Sequence, residues 1–121
     1  MTPLLQVFDM STSLAFYRDI LGFAVKQSTS DWAWLERDGV ELMLNTRYEA
    51  HARPPAPDAR VVAAHDDTAL FFACSDVDAA YAHLRAYGVA APEPKVAPYG
   101  MKQLYVADPD GYNLCFQWPV G

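Results

Sequence analysis

Histidine and cysteine, the side chains best suited to hold a transition metal or attack a substrate, are scarce in this sequence. Its 121 residues include three histidines and two cysteines. Cys74 and Cys115 stand 41 residues apart, each in an apolar run and with no C-x-x-C spacing, so they read as reduced, buried thiols. A nucleophilic Cys115 would need a nearby cation to lower its pKa, yet its neighbours are Leu114 and Phe116. Ser28, Thr29 and Ser30 cluster without a positioned histidine, which suits a turn better than a catalytic hydroxyl. His51 and His65 fall in a proline-bearing connection and His83 lies off the apolar stripe of a helix, so the imidazoles show no metal-ligand spacing. The reading is therefore no catalytic residue, no metal and no cofactor.

Aromatic surface is what the chain has in quantity, at 13% of its residues. Trp32 and Trp34 alternate on one strand and share a face, a placement that serves core or dimer packing as well as ligand contact. Tyr105 alternates with Gln103 on another strand. A Pro-Tyr-Gly loop is a poor place to bury a ring, which makes Tyr99 a ligand-contact candidate. Glu41 shares strand parity with Met43, as Asn113 does with Cys115, and Tyr48 follows the first of these strands. Trp32, Trp34, Glu41, Met43, Tyr48, Tyr99, Gln103, Tyr105 and Cys115 thus form a candidate ligand-binding set, apolar walls with a few polar groups.

The elements that must position these residues repeat. LLQVFD alternates as a strand and STSLAFYRDILGF follows as an amphipathic helix, with Ser11 as cap, Leu14, Tyr17 and Leu21 inward and Gly22 as terminator. Strands over Phe23 to Ser28, Asp31 to Glu36 and Val40 to Thr46 are separated by Ser-Thr-Ser and Asp38-Gly39 turns. The second half reuses this grammar. ALFFAC is a buried strand, and SDVDAAYAHLRAYG a helix capped by Ser75 or Asp76. Strands near Glu93 to Val96, Lys102 to Ala107 and Tyr112 to Trp118 complete it, the last two joined by the Asp108-Pro109-Asp110-Gly111 turn. The fold class is α+β, one domain of two tandem βαβββ modules, 1–46 and 68–121, forming a curved mixed sheet with a cleft. Pro54, Pro55 and Pro57 favour a spacer for the 47–67 connection, with a lid or binding loop as the other reading.

Charge and hydropathy exclude several classes. Nine basic against 15 acidic residues give a net charge of -6, which lacks the phosphate-neutralising term for nucleic acid and disfavours an anionic membrane surface. The six-residue run Ala69 to Cys74 is far shorter than the ~20 residues a membrane helix needs. MTPLLQVFD has no basic n-region or cleavage site, so the expected compartment is the cytoplasm.

VFDMSTSLAFYRDILGF, DGVELMLN, SDVDAAYAHLRAYGV and DPDGYNLCFQ, in this order, resemble the vicinal oxygen chelate superfamily of glyoxalases, extradiol dioxygenases and bleomycin resistance proteins. The resemblance implies a divalent ion held by His and Glu near the start of the first strand and on the last strand of each unit. Those positions are occupied here by Thr2, Ala69, Met43 and Cys115, soft or uncharged groups ill-suited to an oxygen-preferring ion. The aromatic-Gly pattern at Tyr99-Gly100 resembles that of bleomycin resistance proteins, where an aromatic residue contributes to the drug cleft. The implied function is metal-independent binding of a small molecule, a cationic or aromatic antibiotic among the options, by a homodimer. The alternative is a divalent-metal lyase, isomerase or dioxygenase that uses Glu41 with His51, His65 or a partner subunit.

Overall fold

A computed structural model describes residues 1–121 as two compact units, Met1–Asp58 and Ala59–Gly121. In the first, β1 (Leu4–Val7) leads into α1 (Met10–Leu14), which widens into a π-helical turn over Ala15–Ile20. Strands β2 (Ala24–Ser28), β3 (Trp32–Arg37) and β4 (Val40–Thr46) follow, and the sheet order is β1-β4-β3-β2. β1 runs parallel to β4, and the other pairs are antiparallel. The second unit holds α2 (Ala59–Ala64), β5 (Ala69–Ala73), α3 (Val77–Ala86), β6 (Lys95–Val96), β7 (Met101–Ala107) and β8 (Asn113–Pro119). Its order, β5-β8-β7-β6, reproduces the first with β5 parallel to β8. The repeat in the sequence is therefore a repeat of topology.

Alternation decides which face of each sheet is covered. Leu5, Val7, Ala33, Leu35, Leu42 and Leu44 are buried on one face of the first sheet. Tyr17, 0% exposed, packs edge-on against Phe16 at 5.3 Å and Phe23 at 5.7 Å, which fixes the helix in its place. Leu104, Val106, Leu114 and Phe116 form the matching buried face of the second sheet, with Val77 and Leu84 of α3 also buried. The opposite faces carry Trp32, Trp34, Glu41 and Met43 in the first sheet and Gln103, Tyr105 and Cys115 in the second.

The caps differ between the halves. At α3 the Ala79 N–H donates to the Asp76 carboxylate at 2.9 Å, one of the two caps expected. At α1 the cap position is Asp9 rather than Ser11, and its carboxylate is engaged sideways by the Thr12 hydroxyl at 2.8 Å and by Arg53 at 3.2 Å.

The 47–67 connection is more structured than a proline-rich spacer. A 3-10 turn forms over Ala50–Ala52, and Arg53, besides its ion pair with Asp9, lies 5.6 Å from the centre of the Phe8 ring. The part beyond Pro57 folds as α2 and a 3-10 turn, His65–Asp67, within the second unit. There the His65 ring stacks on Tyr112 at 4.0 Å and 8°, and its Nδ1 donates to the Asp110 carbonyl at 2.7 Å. The prolines stop at Pro57, and Ala59-Arg-Val-Val-Ala-Ala contains no helix breaker.

Candidate functional site

The site residues emerge from the register of paired strands. In the second unit Gln103 lies opposite Gln117 and Tyr105 opposite Cys115 across β7 and β8, while Phe71 of β5 pairs with Cys115 from the other side. All five therefore share the face opposite Leu104, Val106, Leu114 and Phe116. The Phe71 and Tyr105 rings meet edge-on at 6.2 Å. Tyr99 sits in the turn before β7, closed by the Gly100 N–H donating to the Ala97 carbonyl at 2.9 Å, and remains 70% exposed. Its hydroxyl accepts from Gln103 Nε2 at 2.8 Å, and the same nitrogen donates to Gln117 Oε1 at 2.9 Å.

Of these side chains, Tyr99, Gln103 and Tyr105 line a groove of about 500 Å³. Pro92, Val96 and Pro98 supply its apolar walls, and Glu93 and Lys95 lie at it with opposite charges. None of the three wall residues stood out in the sequence. The only available signal was apolar and proline residues interleaved through APEPKVAPYG.

Cys115 lies beneath this face, 0% exposed. Burial pushes its thiol above the ordinary range, and hydrogen bonds from Tyr105 and the Leu104 backbone draw it back only in part. Burial, and then the proximity of Cys115, raise the Tyr105 phenol as well. Both groups stay protonated at neutral pH, so neither is an activated nucleophile or base.

The first unit gathers another four candidates on its sheet. Trp34 pairs with Met43, Trp32 with Asn45 and Glu36 with Glu41, which puts Trp32, Trp34, Glu41 and Met43 on one face. Lys26 Nζ lies 5.8 Å from the Trp34 ring centre, and the Thr2 hydroxyl donates to Glu41 at 3.5 Å. Tyr48 is placed elsewhere. It contacts Phe8 edge-on at 6.4 Å and, with Asp9, Asp31 and Arg53, lines a separate hollow of about 370 Å³ beyond the carboxyl ends of β1 and β4.

The metal of the chelate enzymes finds no matching donors within either unit. Thr2 and Met43 offer a hydroxyl and a thioether, and Ala69 and Cys115 a methyl and a buried thiol. No three His, Cys, Asp or Glu side chains gather to hold a metal ion in either unit. His51 pairs with Glu49 at 3.5 Å on the surface, and His65 is engaged by Tyr112 and Asp110.

The chain thus consists of two βαβββ units of the same sheet topology. The chain belongs to the Glyoxalase/Bleomycin resistance protein/Dioxygenase superfamily, whose family model matches residues 2–116. An Escherichia coli K12 protein described as uncharacterized protein YaeR is 34% identical over 118 residues, covering 88% of this chain and 84% of its own length. A bleomycin-binding protein complexed with bleomycin shares the fold with a TM-score of 0.73 at 20% identity, over 99% of this chain and 98% of that one. A lactoylglutathione lyase from Agrobacterium tumefaciens does so with a TM-score of 0.73 at 21% identity, over 97% and 90%. One fold thus carries both a binder and a lyase, and the choice between them falls to the side chains. No helix of the chain is long and apolar enough to cross a membrane.

Proposed function

We propose that this protein binds a flat, mainly apolar small molecule in the groove over β7 and β8 and does no chemistry on it. The carrying observation is the composition of that groove. Tyr99, Tyr105, Val96, Pro92 and Pro98 offer stacking and burial, and the Gln103 amide is the polar group at its floor. A neighbour of the same fold binds bleomycin, which supports a binding role on this scaffold. The acidity of the chain is not concentrated here, because Glu93 is offset by Lys95. That favours an aromatic ligand over a cationic one.

The donor chemistry at Thr2, Met43, Ala69 and Cys115 supports metal-independent binding. Titration calorimetry with bleomycin and with uncharged polycyclic aromatics tests the reading, with one-to-one saturable heat expected from at least one of them. Elemental analysis of protein purified without chelators is the complement. Stoichiometric zinc, nickel, iron or manganese would overturn metal independence in favour of a lyase-type enzyme. The homodimer belongs to the same proposal, supported by exposed Leu4, Phe71, Trp118 and Val120, each 44% to 51% accessible. Light scattering that returns a monomer at micromolar concentration would refute it.

A further inference from the structure

Gln103 is the polar group set deepest in the groove, only 8% exposed. A primary amide carries two donor hydrogens on nitrogen and an acceptor oxygen. Both Nε2 hydrogens are committed, to the Tyr99 hydroxyl at 2.8 Å and to Gln117 Oε1 at 2.9 Å. The Gln103 Oε1 has no hydrogen-bond partner within the chain. It is not sealed either, since no fully buried side-chain nitrogen or oxygen lacks a partner, so this oxygen opens onto the groove that Gln103 lines.

The two neighbouring groups are left with the opposite capacity. Tyr99 uses its hydroxyl oxygen to accept and keeps its hydrogen, and Gln117 uses its oxygen and keeps its amide hydrogens. The groove therefore presents the Gln103 acceptor beside the Tyr99 donor, with Gln117 holding the Gln103 amide from behind, so the pair is set by two hydrogen bonds before any ligand arrives. A complementary ligand gives a hydrogen to Gln103 and accepts one from Tyr99 through adjacent atoms. Resting on the binding reading above, we propose that the groove selects a neutral carboxamide, lactam or ureide edge on a flat ring. A carboxylate would set its charge against the Gln103 lone pairs, a ketone lacks the hydrogen, and an ammonium lacks the acceptor. Glu93 and Lys95 together leave no net charge to favour an ionic ligand.

The test is a titration of the ¹⁵N-labelled protein with benzamide, benzoate, acetophenone and benzylamine, followed by the amide and side-chain NH₂ cross-peaks. Benzamide is expected to move the Gln103 and Gln117 side-chain signals and to bind about tenfold more tightly than the other three. In Gln103→Met the benzamide-to-acetophenone ratio should fall to near one. In Tyr99→Phe, at an exposed position that leaves the fold intact, both should weaken severalfold with their ratio kept. If benzoate, acetophenone or benzylamine binds wild type as tightly as benzamide, or the ratio survives in Gln103→Met, the carboxamide inference is wrong while the binding reading stands. If no probe moves any signal of Tyr99, Gln103 or Tyr105, the binding reading itself fails. Should Gln103→Met not fold, the wild-type ranking of the four probes decides the matter alone.

Discussion

Gly111 and Gly39 make a matched pair for testing whether the helix after the proline segment is docked on the turn that starts β8. Both have strongly positive φ, +88° and +81°, so an alanine at either must adopt the left-handed region, at a cost of about 1–2 kcal/mol. Their surroundings differ. A Cβ at Gly39 would meet nothing within 4 Å, whereas one at Gly111 would lie 2.5 Å from the Val62 carbonyl oxygen and 2.9 Å from its Cγ1. The first of these atoms is backbone of α2 and cannot swing aside. Relief requires α2 to retreat by roughly an ångström, which would strain the His65 stacking on Tyr112 and the 2.7 Å bond to the Asp110 carbonyl. Loss of one such hydrogen bond and one ring contact adds about 1–3 kcal/mol. Gly39→Ala should therefore cost about 1–2 kcal/mol and Gly111→Ala about 2–5 kcal/mol by equilibrium urea unfolding followed by circular dichroism. Equal costs, within about 0.5 kcal/mol, would refute the docking of α2 and return the segment to a loose spacer.

Three further outcomes follow from the same structure. Native protein treated with iodoacetamide at pH 8 should be alkylated once, on half-buried Cys74, and twice only after unfolding, because Cys115 is fully buried and its thiol is raised; peptide mapping that finds Cys115 modified at a comparable rate contradicts this. A folded-state pKa raised by burial means that the folded chain holds the Cys115 proton more tightly than the unfolded one, so stability is full below the ordinary thiol value of 9.0 and declines as pH rises beyond it. Cys115→Ala should flatten that alkaline decline, and an unchanged slope would show that other groups cause it. Asp76→Ala removes the side-chain cap of α3 and should cost about 1 kcal/mol in the same urea assay, whereas Ser75→Ala should cost less than half of that.

The legible part of the fold was the part written locally. Alternation in LLQV, WAWLER, VELMLN and MKQLYVA, the helical spacing of the residues after Asp9 and Asp76, and the turn chemistry of Asp38-Gly39 and Asp108 to Gly111 each depend on neighbours a few residues away. The Asp108 carboxylate, for instance, accepts from the Asp110 and Tyr112 N–H groups at 2.9 Å, a turn made by the segment's own side chain. The helix after Pro57 was not legible in the same way, since six residues are too few for a stable helix alone, and Val62 lies against Gly111 while His65 just beyond stacks on Tyr112.

By itself, then, the sequence determined a twofold βαβββ chain with aromatic side chains on alternate strand positions and no donor set for a divalent ion at the expected places. Which of those side chains act together was decided by tertiary structure alone. Period-two alternation says that Gln103 and Tyr105 share a face, but only the β7–β8 register sets Gln103 opposite Gln117 and Tyr105 opposite Cys115. The fold of the Pro98-Tyr99-Gly100 turn then brings the Tyr99 hydroxyl to the same amide, and sends Tyr48, an equally aromatic candidate, to a different hollow. Register and loop closure are non-local, set by pairing between segments distant in the chain, and no window of the sequence contains them.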